Sequence, residues 1–305
     1  MNLRGIPLIG YASTIAGISM MATVEVATKL IQGGVTPYQI NFFRTLLGCI
    51  FLFLMTSAFG GGLRRFTGRN LSRILLMALA WNVLGLNLYF LAITWTSASH
   101  AALIFSANPV VASVLAVAIL HEDLTLPRVI GALTGLLGVV AVITGFDPSF
   151  LGSGTLSGDL LMAIPLTLWC IYLVWGISWT SRGGGRGDPC LRDQLNYLCS
   201  TFTFGLVFLT PVFIWDASRN PVSLDVNTIG CLIYLGLATN GLAYILYFWG
   251  ISMLEVSKGT MAFFLKPVIA SILSHMILGE EISSPSFIIG AVLVSLGLLI
   301  ASRSR

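Results

Sequence analysis

Long apolar runs separated by short polar breaks dominate this chain. Ten runs are read at roughly residues 6–31, 38–59, 71–95, 99–119, 126–146, 157–181, 195–214, 227–251, 257–277 and 283–302. Each approaches or exceeds the roughly 20 residues that span a hydrocarbon core as helix. The runs are apolar on all sides and lack the two-residue alternation of a membrane barrel strand. In lipid the backbone must satisfy its own polar groups, so such runs predict helices. The expected fold class is all-α integral membrane, with ten transmembrane helices.

The pattern also repeats. Tyr89 to Thr125 superposes on Tyr247 to Ser283 at a constant offset and without a gap. Ser99 meets Ser257, Phe105 meets Phe263, Pro109 meets Pro267, Ala112 meets Ala270 and Glu122 meets Glu280; further back, Asn82 meets Asn240. Apolar composition alone matches Leu with Ile, but it does not readily align Pro, Asn and Glu together. Two units follow, 1–150 and 151–305, each with five helices. An odd number of crossings turns the second unit over relative to the first. Inverted repeats of this kind support two arrangements of similar energy around a midplane site, which is the basis of alternating access.

Composition removes the soluble alternative. Charged residues make up 9% of the chain and apolar residues 56%, with a mean hydropathy of +0.92; a soluble domain carries about 25% charge. The net charge of +4 reports topology, not nucleic-acid binding. With the N-terminus inside, the cytoplasmic segments hold Arg4, Arg64, Arg65, Arg69, Arg73, Arg128, Arg182, Arg186, Arg192, Lys258, Arg303 and Arg305, while the opposite side holds Arg219 alone. The positive-inside rule therefore puts both termini in the cytoplasm. The first run exceeds a signal-peptide core and carries Glu25 and Lys29, so it reads as a retained helix. The five cysteines lack metal-like spacing, and His100, His121 and His275 form no pair or cluster. No metal or cofactor is expected.

A few polar residues inside the runs are candidates for chemistry. Lys266 falls near the middle of the ninth run and precedes Pro267. A lone ammonium there costs about 2.5–3.5 kcal/mol on insertion scales, so it needs a partner, water or a ligand. The proline frees carbonyls and bends its helix. One reading makes Lys266 the receptor of an anionic substrate group; the other makes it a snorkelling or salt-bridged lysine. Asn108 and Pro109 are its repeat counterparts. Asn82 and Asn240 offer amide donors and acceptors near helix centres, either to a ligand or to a neighbouring helix. Glu25 and Lys29 are spaced for an i, i+4 pair, and Arg44 reaches a similar depth on the second run. These three read either as a structural lock or as a proton-coupling site centred on Glu25. Trp169 and Tyr172 share a face of the sixth run, and Trp81 adjoins Asn82; packing and ligand stacking are both open to them. Glu122, Asp123, Glu280 and Glu281 mark matching turns.

The motif from Ser99 to Leu103, through Asn108-Pro109 to Leu120-His121-Glu122 and Gly131-Ala132, resembles the EamA-type repeat of the drug/metabolite transporter superfamily. The second copy reads Lys266-Pro267, Leu278-Gly279-Glu280 and Gly290-Ala291, and Thr36-Pro37 followed by Arg44 fits the same pattern. Glu25-Val26 resembles the Glu-Val pair on helix one of the small multidrug resistance proteins. The resemblance implies ten helices in two inverted five-helix repeats around a central cavity, and transport of small metabolites such as amino acids, often outward. Proton-coupled efflux of organic cations is the alternative.

An intramembrane enzyme needs a nucleophile or metal constellation, and no H-E-x-x-H, G-x-S-x-G or phosphate loop is present. A channel needs rings of like charge or a repeated filter. The expected protein is a functional monomer in a bacterial cell (inner) membrane, with lipid and a small-molecule substrate as its partners and no nucleic acid.

Overall fold

The computed structural model describes residues 6–31, 33–59, 68–95, 104–123, 125–144, 147, 156–181, 191–279 and 284–302. Most of the join between the proposed halves, residues 182–190, His100, Glu280 and Glu281 lie outside the described residues. Among the described residues every regular element is helical. In chain order these are α1 (Ile6–Met21), α2 (Val24–Leu30), α3 (Pro37–Phe59), α4 (Gly68–Met77), a π segment (Ala78–Gly85), α5 (Leu86–Trp95), α6 (Asn108–Leu120), α7 (Leu126–Thr144), α8 (Leu156–Ser181) and α9 (Leu191–Ala217). There follow α10 (Val226–Tyr234), a second π segment (Leu235–Leu242), α11 (Ala243–Ser252), α12 (Val256–Gly259), a 3-10 turn (Thr260–Phe264), α13 (Leu265–Leu278) and α14 (Ser284–Ser302).

Among the described residues seven stretches are long and apolar enough to cross a membrane: Leu8–Leu30, Pro37–Phe59, Asn70–Trp95, Leu160–Thr180, Leu191–Ala217, Val226–Ser252 and Val256–Ile277. Three shorter apolar helices, Asn108–Leu120, Leu126–Ala141 and Pro285–Ala301, accompany them. Their large outward side chains are apolar, as Leu8, Leu126, Val226 and Met276 show. This is an all-α membrane protein.

Close backbone approach fixes two of the helix pairs. In α7 and α14, a side chain on Gly131 would stand 2.7 Å from the carbonyl oxygen of Gly297, and one on Gly138 2.7 Å from that of Gly290. Small residues let these helices meet at van der Waals distance, which drives association where lipid removes the hydrophobic incentive. The α1–α11 pair meets likewise, with Gly17 against Ala243 and Tyr247.

Five of the apolar runs are broken where the sequence reads as continuous. Thr23 donates its hydroxyl to the Met20 carbonyl, 2.7 Å away, and the first run divides there into α1 and α2. Such local bonds compete with the helical ladder. Pro109 and Pro267 fall in the first turns of α6 and α13 rather than in helix interiors. At the start of α6 a proline sacrifices no intrahelical bond, because the first N–H groups of a helix have no partner anyway. The third and eighth runs pass through π segments that contain Asn82 and Asn240.

Candidate functional site

The site lies where these breaks converge. Tyr89 on α5 and Lys266 on α13 both meet Glu25, which the division of the first run places in the first turn of α2. The Lys266 Nζ atom is 2.5 Å from Glu25 Oε1. The Tyr89 hydroxyl donates to the same oxygen, and Lys266 Nζ lies 3.5 Å from the Tyr89 oxygen. Both charged side chains are nearly buried, 12% exposed for the lysine and 7% for the glutamate. Lys266 also stands over the rings of Phe105 and Tyr89, at 5.2 and 5.7 Å from their centroids. The second carboxylate oxygen of Glu25 is buried without a hydrogen-bond partner. In a medium that charges such groups several kcal/mol for losing water, their mutual attraction offsets part of that cost.

Lys266 and Tyr89 line a central cavity of about 40 Å³, together with Arg44, Trp81, Trp169, Tyr244, Phe105 and Phe263 among others. Arg44 is 3% exposed. Its guanidinium lies 5.5 Å from the Phe90 ring centroid, and its Nε has no partner. The Trp81 and Trp169 rings are 4.8 Å apart. Trp81 Nε1 donates to the Tyr244 hydroxyl at 3.2 Å, whereas Trp169 Nε1 has no partner.

The residues singled out in the sequence separate into two groups. Lys266, Arg44, Trp81 and Trp169 line the cavity, and Glu25 stands directly behind its wall. Glu25 pairs with Lys266, on the far part of the chain, where helix spacing pointed to Lys29 and depth in the membrane to Arg44. Lys29 occupies the last turn of α2, away from the cavity lining. Tyr172 lies behind Trp169, stacked at 6.1 Å and hydrogen-bonded to Thr201 Oγ1 at 2.8 Å.

The asparagines hold helices together. Asn82 Nδ2 donates to the Thr201 carbonyl on α9 at 2.9 Å, and Asn240 Nδ2 donates to the Arg44 carbonyl on α3 at 3.2 Å. Each reaches across from a π segment, and each meets a glycine, Gly205 or Gly48, whose missing side chain makes room for it. The repeat-related pair thus performs the same task twice. Asn108 is fully buried beside α8, and its carbonyl accepts from Cys170 Sγ at 3.8 Å.

Tyr89, Phe105, Phe263 and Tyr244 were not singled out for the site. The signal for three of them was present, because Tyr89 matches Tyr247 and Phe105 matches Phe263 in the repeat. The Phe105 and Phe263 rings now stand 6.3 Å apart across the cavity.

Both ends of the bundle are tied. At one end Glu122 accepts from Val256 N at 2.7 Å and from Ser257 Oγ at 2.6 Å, while Arg128 pairs with Glu255. At the other, Thr36 Oγ1 donates to Asp216 Oδ2 at 2.6 Å and Gln39 Nε2 to the Asn220 carbonyl at 2.9 Å.

A helical bundle with a buried ion pair at a small central cavity and ties at both ends is an arrangement that suits transport across a membrane. Comparison with known proteins gives the family: residues 8–144 and 156–303 each match the EamA-like transporter family, and this chain belongs to it. An uncharacterized transporter of Clostridium kluyveri is 25% identical, covering 97% of this chain and 94% of its own length. A probable terminal-alkyne amino-acid exporter of Streptantibioticus cattleyicolor is 24% identical, covering 79% of this chain and 76% of its own. A protein of known crystal structure shares the fold, with a TM-score of 0.75 over 98% of both chains at 20% identity.

Proposed function

We propose that this protein is a secondary transporter that moves amino acids or related compounds out of a bacterial cell by alternating access. Its ten spans form two inverted five-helix repeats, residues 1–150 and 151–305, in the inner membrane with both termini cytoplasmic. The observation that carries this reading is the composition of the cavity wall. Arg44, Trp81, Tyr89 and Phe105 come from the first half, and Trp169, Tyr244, Phe263 and Lys266 from the second. The Glu25–Lys266 pair bridges the halves. Motion of one half against the other therefore remakes the site, which is what alternating access requires.

Two further features support it. A cavity of about 40 Å³ is too small for a metabolite, so the helices must part to admit one. The ties at the two ends join short polar segments whose bonds can be exchanged for water. Opening one end while the other holds exposes the centre to a single side. The name of the Streptantibioticus relative supports amino-acid chemistry and outward direction. Proton-coupled export of organic cations through Glu25 is the second reading, favoured by the unpartnered carboxylate oxygen of Glu25.

The test is flux from proteoliposomes loaded with a mixture of amino acids, their N-acetyl derivatives and aromatic amines. Saturable release above that of empty vesicles, reduced at least tenfold by Lys266→Gln, is expected. Release that rises linearly with concentration, or none of any compound, overturns the transporter mechanism. Release of amines alone makes the cation reading the correct one.

A further inference from the structure

The charge count of the cavity selects among the compounds that such a transporter could carry. Two basic side chains face it, Arg44 and Lys266. One carboxylate, Glu25, balances one of them. Among the described residues no carboxylate pairs with Arg44, whose guanidinium rests against the Phe90 ring and leaves Nε without an acceptor. The remaining polar side chains on the wall are the Tyr89 and Tyr244 hydroxyls and the Trp81 and Trp169 indoles, all neutral. Counted by formal charge, these three side chains sum to +1.

An uncompensated charge at the middle of a bilayer is costly, and a buried positive site relieves that cost by taking a counter-ion. The rest of the wall is aromatic and aliphatic: Trp81, Trp169, Phe105 and Phe263 with Met21, Val24 and Leu86. Aromatic faces suit a planar apolar body, and a guanidinium with an open Nε suits the bidentate oxygens of a carboxylate. We infer that the cavity takes small organic acids of net charge −1 with an aromatic body, bound through the carboxylate to Arg44 and Lys266. Such compounds include aromatic amino acids whose amine is acylated or absent.

This rests on the transporter reading above and sharpens it. A zwitterion brings no net charge and leaves the +1 in place. Its ammonium also competes with Lys266 for Glu25. An organic cation raises the total to +2. A monoanion neutralises the site.

The test is equilibrium binding to the detergent-purified full chain at neutral pH, with five probes of one body and different charge: 3-phenylpropanoate, phenylalanine, 3-phenylpropanamide, 2-phenylethylamine and benzylmalonate. Wild type is expected to bind 3-phenylpropanoate at least tenfold more tightly than the other four. Removing charges should move the preference. Glu25→Gln takes the site to +2 and should favour benzylmalonate, which carries two carboxylates. Arg44→Gln takes it to zero and should favour phenylalanine or the amide over the acid. These are gains of binding, so a variant that fails to fold cannot imitate them, and the wild-type ranking stands independently of either variant. Phenylalanine or 2-phenylethylamine binding wild type as tightly as 3-phenylpropanoate overturns the inference. So does binding of none of the five by a protein that releases other compounds from proteoliposomes. A failure of all flux instead removes the transporter reading beneath it.

Discussion

Glu25 and Lys266 are 241 positions apart in sequence and in hydrogen-bonding contact in space, 2.5 Å between Oε1 and Nζ. Breaking this buried pair from one side should cost about 3–5 kcal/mol, because the survivor is left charged and alone. The Glu25→Gln, Lys266→Met double variant should be more stable than either single variant. Unfolding of the purified protein in a series of denaturing detergent mixtures measures this. Additive losses in the double variant sink the idea that the two charges act as a unit.

The two asparagine joints differ in their tolerance. A side chain on Gly205 would come within 2.7 Å of Asn82 Cβ, an atom fixed close to the backbone. One on Gly48 would first meet the Asn240 side-chain nitrogen, at 3.0 Å. Gly205→Ala should therefore cost more than Gly48→Ala, within the roughly 1–3 kcal/mol typical of overpacking. Thermal unfolding followed by tryptophan fluorescence compares them, and equal losses would count against the crowding argument.

Trp81 and Trp169 predict a contrast of another kind. Trp81 Nε1 has an acceptor in Tyr244, while Trp169 Nε1 has none. Replacing each by Phe removes a bond in one case and an unsatisfied donor in the other. Trp81→Phe should lose about 1 kcal/mol more than its shape change alone explains, and Trp169→Phe should lose less than Trp81→Phe. Trp169→Ala, which empties the centre of the aromatic cluster, should cost about 3–5 kcal/mol. The reverse order for the two Phe variants in equilibrium unfolding would refute the assignment.

The tie at Glu122 should act on access. Its carboxylate holds two backbone N–H groups and one hydroxyl at the start of α12. Glu122→Ala should loosen that end, where the Arg128–Glu255 pair remains, and leave the Thr36–Asp216 tie intact. In inside-out vesicles, a cysteine introduced at Thr260, in a background whose native cysteines are replaced by alanine, should react several-fold faster with an impermeant maleimide when Glu122 is absent. An unchanged rate shows that the contact does not close the path.

Much of this protein was legible in the chain. Lys266 and Arg44 could be picked out because a charge inside an apolar run must be compensated, wherever its partner lies. The matched asparagines were visible as well, though their role was open between ligand and neighbouring helix. The partner of Glu25 was not legible. Spacing offered Lys29 one turn away and Arg44 at similar depth, and neither rule of spacing nor depth reaches from the first run to the ninth. Tyr89 escaped for the same reason, since a tyrosine in an apolar helix gives no sign of which way its hydroxyl turns. The breaks at Thr23 and within the third and eighth runs were hidden too. They arise from single hydroxyl bonds and π turns that leave hydropathy unchanged.

Sequence by itself determined that the chain is a membrane protein built of helices, because the cost of bare backbone and buried charge in lipid depends on composition and run length alone. It also determined that the pattern recurs, because identical polar positions at a constant offset need no coordinates. Only the tertiary structure decided which charges neutralise one another, which aromatic rings face the cavity and which stand behind it, and that Arg44 has no carboxylate partner among the described residues. Those outcomes depend on how helices distant in sequence rotate and approach, and a period of 3.6 residues carries no information about the neighbour that each face will meet.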